Sequence, residues 1–454
     1  MNYAKLSCIP LLFFAVLSCD IAELDDPNGA SLNSVLNNAS FTELNNVVTG
    51  VEATMRNGHD VYVTATGSIA REFYLFDADP RNLTDLMGLE DVESGENAIL
   101  DNNSFYLTSP YNNRYRVIKN CNILLDAVNN TSVEVTQTNR NGYRGFANTI
   151  KAYQLLLVLN LLNSNGIRVD VTDPDNLGSF VPKARALTEI VTLLDLAESQ
   201  LSDAGSSFSF SLSGGFEGFN DPASFLTFNR AIASRVAIYQ EDWNGALAKL
   251  EDSFFNLEGD LNIGPKHAYS TAGPDILNNL FKVPNQSGDQ IIVNNDWINS
   301  ADSGDTRVEN KTDLRADPSF SGGFTGTHET RLYPSSTSPV DIIRNEELIL
   351  IYAEAKWKLG ELADAERAIN VIRTAAGLPD YEANPSSDTP FLDEILHQRR
   401  YSLWAEGHRM VDLRRYGRLN TEHVVLDVNL DPDTGEERSQ IIFTEFPVPL
   451  SDDF

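Results

Sequence analysis

The sequence predicts a mainly α fold: helical hairpins stacked into a discontinuous superhelix, with long irregular loops and a few short strands. Three observations carry this. Apolar residues recur three and four apart in several segments, the spacing that lines one face of a helix. Two of these segments are followed, across a short polar turn, by a second stripe of the same period. Between the stripes lie stretches rich in Gly, Asn, Asp and Ser, too long for plain connections and without the sustained alternation of a half-buried sheet.

In chain order, residues 1–18 read as an export signal: a cationic start at Lys5, an apolar run Leu6–Leu17 and the small residue Ser18. Pro10 and the shortness of the run argue against a spanning helix, which needs about 20 apolar residues. Val16-Leu17-Ser18-Cys19 resembles a lipobox, which makes Cys19 the lipid-attachment residue and the first residue of the mature chain. Two or more acyl chains anchor a protein to a membrane that it does not cross. Residues 19–40 are polar, with Asp25-Asp26-Pro27-Asn28-Gly29 as turn chemistry, and read as a tether; residues 41–454 form the folded domain.

Within that domain, Ile118, Cys121, Leu125 and Val128 share one helix face, which predicts a buried Cys121 thiol. Phe146, Ile150, Tyr153 and Leu157 repeat the spacing, and Leu155–Leu162 is apolar all round, as in a helix enclosed by neighbours. Phe225, Phe228, Ile232, Val236 and Tyr239 are followed after Glu241-Asp242 by Trp243, Leu247, Leu250 and Phe254. Leu348, Tyr352, Ala355 and Leu359 are followed after Gly360-Glu361 by Leu362, Ala365, Ile369, Ile372 and Ala376. Ala246 and Ala365, just inside the second helix of each pair, let two helices approach closely, and both hairpins resemble tetratricopeptide units. Such pairs cannot bury their apolar faces alone, so those at about 111–162, 186–257, 344–376 and 391–417 are expected to form one block. Residues 57–110 and 258–340 are expected to make a loop-rich, ligand-facing layer in which only short pieces such as Gln290–Val293 favour strands.

Acidic residues outnumber basic ones by 65 to 34, a formal net charge of -31, which makes nucleic acid an unfavourable partner. An anionic membrane surface is disfavoured for the same reason, so attachment falls to the lipid. Of the three cysteines, Cys8 leaves with the signal and Cys19 carries the anchor, so Cys121 remains alone and no internal disulfide can form.

Four features together carry a family resemblance: the Cys19 lipobox with its Asp-Pro-Asn-Gly tether, Arg344–Ala355, its partner Ala365–Arg373, and Gln398–Gly417, with the closing Phe446–Leu450 in support. The chain resembles the SusD/RagB family of outer-membrane nutrient-binding lipoproteins. The resemblance implies a discontinuous block of tetratricopeptide-like helices decorated by long loops, no catalytic residue and no cofactor. It also implies a role at the cell surface: binding a glycan, or in some members a peptide, and delivering it to a SusC-like TonB-dependent transporter that the protein caps.

The segment 398–417 carries Glu406, His408, Asp412 and several arginines, but pairs such as Glu406 with Arg409 and Asp412 with Arg415 suit helix positioning better than catalysis. Gly407 reads as a break or a close approach. Glu346, Glu347 and Glu394 do not offer the opposed carboxylates of a glycosidase, because adjacent helical residues point in different directions. Asp431–Glu436 imitates half of a calcium loop but has Ile442 where the closing glutamate belongs, so a turn between two extended pieces is expected and no metal. For sugar binding, aromatic faces beside hydrogen-bonding groups on loops are the features sought. They single out Tyr74, Phe76, Asp77 and Arg81 in one loop, and Asn295 and Trp297 in another. Two other functions fit the same sequence, a tetratricopeptide-like lipid-anchored scaffold for protein assembly and a lipid-anchored glycosidase.

Overall fold

The structure, a computed structural model, describes residues 32–173 and 175–450. The export signal, the Cys19 anchor and most of the tether lie outside the described residues.

The chain begins with α1 (Leu32–Asn38), α2 (Phe41–Thr54), α3 (His59–Ile69), β1 (Phe73–Phe76), α4 (Arg81–Thr84), β2 (Glu90–Asp91) and β3 (Glu96–Asn97). The long helices α5 (Phe105–Asn130) and α6 (Gln137–Leu162) follow, then β4 (Ile167–Arg168), β5 (Phe180–Val181), α7 (Lys183–Ser202), α8 (Pro222–Tyr239) and α9 (Trp243–Glu251). Next come β6 (Lys266–His267), β7 (Gln290–Val293), α10 (Asn295–Asn299), α11 (Thr306–Lys311), β8 (Thr312–Ser321), β9 (Phe324–Thr330) and β10 (Val340–Asp341). The chain closes with α12 (Asn345–Lys358), α13 (Leu362–Ala375), α14 (Pro390–Ser402) and α15 (Arg409–Arg415).

Local signals set the helix starts. Ser40 caps α2 in a reciprocal box with Glu43, whose carboxyl is held below its usual range by the Ser40 backbone and hydroxyl. Asp221 caps α8 in the same way, with Pro222 in the first turn, where its missing N–H costs nothing. Consecutive helices then pack: α5 on α6, α6 on α7, α7 on α8, α8 on α9, α9 on α12 and α12 on α13, with α14 against α12 and α13. α6 is buried on nearly every side over its last five turns, as its all-apolar stretch predicts. Ala246 and Ala365 are fully buried where α9 and α13 meet their partners, so the expected small-residue contacts are present in both hairpins. Cys121 is buried on α5, and that burial pushes its thiol up to about 12.

Two departures from the sequence reading matter for the site. The stretch 57–110 is not a loop layer throughout: it contains α3, which packs on α5 and carries α15 on another side, and β1. The stretch 258–340 supplies three strands of a four-stranded antiparallel sheet in the order β1-β7-β9-β8, with β1 added from 57–110, and is not an irregular layer. Its hairpin turns at Gly322-Gly323, both with positive φ, as a two-residue turn whose twist matches paired strands. A register irregularity between Leu314 and Ser319 breaks the alternation that would have marked β8 in the sequence. Under the sheet Tyr74, Phe76, Leu83, Met87, Leu89, Ile292 and Phe324 form a separate small core.

Candidate groove between the α2–α3 corner and the loop 268–289

The turn from α2 into α3 runs close under the first turns of α5. Gly58 takes positive φ there, and a Cβ on it would meet Asn113 Nδ2 and Ser109 O at 3.0 Å, so this corner has no room for a side chain. Arg114, buried on α5, donates to the Asn57 carbonyl and fixes the corner from below. Beside it the rings of His59 and His267 lie 4.8 Å apart, both buried. Burial, with the Arg114 charge next to it, pushes His59 down to about 3; burial and His59 push His267 well below its usual range. Both rings are neutral at physiological pH.

Above this floor, the α2–α3 corner, the start of α5 and the loop Ala268–Asp289 enclose a continuous groove. Cavities of 580, 590 and 640 Å³ adjoin: the first two share Arg56, Asn57 and Ile276, the last two share Asp60, Phe105 and Asn279. The groove follows the chain around this corner from Thr49 to Thr64. The loop is fastened across it by polar contacts. Arg56 pairs with Asp275 at 2.6 Å, Asn279 donates to Asp60 at 3.1 Å, and Asn278 donates to the Ser338 carbonyl at 2.9 Å. Phe105, the first residue of α5, stands 63% exposed in the wall, with Tyr269, Leu277 and Phe281 as further apolar lining. An apolar ring flanked by amides and carboxylates in an elongated trough suits a polyhydroxylated oligomer.

The six residues singled out from the sequence fall in different places. Tyr74 and Phe76 are strand residues of the small core under the sheet, Tyr74 donating from its hydroxyl to Asp427 at 2.6 Å. Trp297 is fully buried against Tyr401 and Trp404, with its indole N–H on the Arg400 carbonyl. None of these three aromatic faces is open to a ligand: a run of four apolar residues, Phe73–Phe76, read as an exposed loop, is a buried strand. Asn295 is tied to Asp427 and to the Thr325 carbonyl. Arg81 is exposed but forks onto the Asp79 carboxylate at 3.0 and 3.1 Å, outside the groove lining. Asp77 alone of the six lines the groove. Phe105 lies in the stretch 57–110 expected to face ligand but was not singled out there; its place at the first helical position after Ser104, before neighbours can cover it, is the signal that separates it.

The arginine-rich segment near the C-terminus is a buried ion-pair lattice. Arg235 of α8 grips Glu347 of α12 with two bonds of 2.6 Å, Arg399 bonds Asp412 at 2.7 Å, and Arg415 bonds Glu354 at 2.7 and 3.0 Å. Asp412 also meets Arg415 at 3.4 Å, as expected. Glu406 does not pair with Arg409; α15 starts only at Arg409, and Glu406 instead meets Arg344, which holds Glu346 at 2.8 Å. Gly407 has φ of 81° and a Cβ there would lie 2.6 Å from the Tyr62 ring, so it is a close approach. Asp431 accepts from the Asp433 and Thr434 amides at 3.0 Å in a turn between bridged extended pieces, as its sequence predicts.

Residues 317–443, from the second half of β8 through most of this lattice, match the SusD family model. The C-terminal part of the chain is thus similar to the SusD family. Solved structures with the SusD fold include a SusD superfamily protein of Bacteroides vulgatus ATCC 8482, 16% identical, covering 84% of this chain and 89% of that one with a TM-score of 0.63. A SusD-like protein of Bacteroides fragilis NCTC 9343 is 13% identical over 92% of this chain and 95% of that one, with a TM-score of 0.64. A laminarin binding SusD-like protein is 16% identical, covers 91% and 96%, and has a TM-score of 0.60. No curated protein matches the chain. Within this SusD-like frame the arginine lattice joins α8, α12, α14 and α15. No helix of the described residues is long and apolar enough to cross a membrane, and among them no three His, Cys, Asp or Glu side chains form a metal-binding group.

Proposed function

We propose that this chain is a SusD/RagB family member and a non-enzymatic lipoprotein. It is anchored through Cys19 at the cell surface, binds an oligo- or polysaccharide nutrient and delivers it to a SusC-like TonB-dependent transporter that it caps. The observation that carries the reading is the groove, where the Phe105 ring is presented to solvent between amide and carboxylate side chains. The apolar face of a pyranose can stack on such a ring while its hydroxyls bond to neighbours such as Asn113, Asn279 and Asp77, each contact being weak and the sum growing along the ligand. That one SusD-like neighbour is described as laminarin binding supports the ligand class. The acids of 344–406 that would be needed for hydrolysis are occupied in ion pairs, which favours capture over cleavage.

Affinity electrophoresis against a panel of neutral and acidic polysaccharides tests the reading. Phe105→Ala is expected to abolish most of the retardation shown by the unaltered chain, with the fold retained because the ring is exposed. Undiminished retardation moves the site away from the groove. Metabolic labelling with palmitate tests the anchor: label on the unaltered chain and none on Cys19→Ala is expected.

A further inference from the structure

The groove's charges pair unevenly. Its two lining cations are each answered by a carboxylate, Arg56 by Asp275 and Lys282 by Asp289. Asp79, also in the lining, is taken by Arg81 at 3.0 Å. Three lining acids have neutral donors instead. Glu52 accepts from the Ser213 amide at 3.0 Å, Asp60 from Asn279 at 3.1 Å, and Asp77 from Asn82 at 2.8 Å and the Asp79 amide at 3.0 Å. They are spread along the trough: Glu52 lies in the first cavity, Asp60 in the middle and last, Asp77 in the last. A ligand lying along the groove meets at each stage a carboxylate with no ion-pair partner, Asp60 being offset in part by the Arg114 charge buried beneath the corner, and no free cation in the lining.

We infer that the groove selects uncharged glycans and rejects uronate- or sulfate-bearing ones, with Glu52, Asp60 and Asp77 as the residues that set this specificity. The inference rests on the groove being the glycan site, and adds the chemical class it takes. Carboxylates bound to neutral amides still accept hydrogen bonds from sugar hydroxyls through their free lone pairs, so they suit a neutral chain. An anionic substituent held about 7 Å from one of them loses roughly threefold in affinity even at the dielectric of water, and three such encounters multiply to more than tenfold. The chain's net charge of -31 adds to the repulsion.

The test uses the full chain without its signal and a panel in which each neutral polymer (laminarin, amylopectin, mannan, xylan) is paired with its sulfated derivative, alongside polygalacturonate. At low salt the retained neutral polymer should bind at least tenfold more tightly than its sulfated partner. The gap should narrow as 0.5 M salt shortens the Debye length to about 4 Å. In Glu52→Gln/Asp60→Asn/Asp77→Asn the ratio of the two dissociation constants should fall at least threefold. The salt series on the unaltered chain reads the same repulsion without any variant. A sulfated glycan or polygalacturonate that binds most tightly, and whose binding is lost in Phe105→Ala, overturns the charge rule while leaving the groove as the site. Glycan binding of either kind that ignores Phe105 overturns both.

Discussion

Replacing Glu347 by glutamine removes the carboxylate that Arg235 grips with two bonds while keeping the side chain's volume. Both groups are buried. Burial alone would raise the Glu347 carboxyl; the Arg235 guanidinium outweighs it and holds the group down at about 2 against an ordinary 4.5. A lowering of about 2.5 pH units corresponds to roughly 3 kcal/mol of stability, at the lower edge of the 3–5 kcal/mol typical for breaking a buried pair. Because the folded value is depressed, this contribution is complete above the unfolded value near 4.5 and is lost as pH falls toward 2. The assay is urea unfolding followed by tryptophan fluorescence at pH 7, 5 and 3, with Trp297 and Trp404 as buried reporters. Glu347→Gln should be less stable by about 3 kcal/mol at pH 7 and 5, and the difference should shrink at pH 3. With about 2.1 cal/mol/K per residue of unfolding entropy over more than 400 residues, the same change lowers Tm by about 3–4 °C. A deficit under about 1 kcal/mol at pH 7, or one independent of pH, would refute the assignment of a depressed, stabilising carboxylate.

The remaining predictions concern the histidines, a glycine and a tryptophan. His59, His267 and His408 are held below their ordinary value by burial, as are His397 and His328, so unfolding takes up protons at each as pH drops below 6.5, while Glu72, raised by burial to about 8, releases one in the same range. Uptake outweighs release, and stability is expected to fall as pH drops from 6.5 to 5; a flat or rising profile contradicts it. Gly407→Ala combines a left-handed backbone with a Cβ at 2.6 Å from Tyr62 and should cost about 2 kcal/mol or more, read as a lowered urea midpoint. Trp297→Ala should destabilise by about 3–5 kcal/mol as a core truncation while leaving glycan affinity of the folded fraction unchanged.

The helical hairpins were legible because their stripes are long, periodic and bounded by polar turns, and the small alanines at their crossings have few other uses. The SusD resemblance was legible in the same stretch, since the arginine lattice demands particular residues at particular helical positions. The sheet was not: β1 is four apolar residues, a length that fits strand or helix, and the irregular register of β8 hides its alternation, although Gly322-Gly323 between Phe320 and Phe324 carried a hairpin signal. The groove escaped for a different reason. Aromatic residues beside acids mark a core strand as readily as a ligand face, and only the packing around Tyr74, Phe76 and Trp297 shows that these are covered while Phe105 is bare. Asp77 was singled out as an acid beside aromatics in an expected loop, and it reaches the groove because it follows the buried strand β1.

The outer wall of the groove is buried at Asn278 and Leu280, bonds the Ser336 carbonyl through the Asn278 amide, and is further fastened by side-chain bonds at Arg56, Asp60 and Ser338. Its diet can therefore evolve separately from its architecture: a lineage can rewrite that strap, altering what it gathers, while every helix beneath keeps its place.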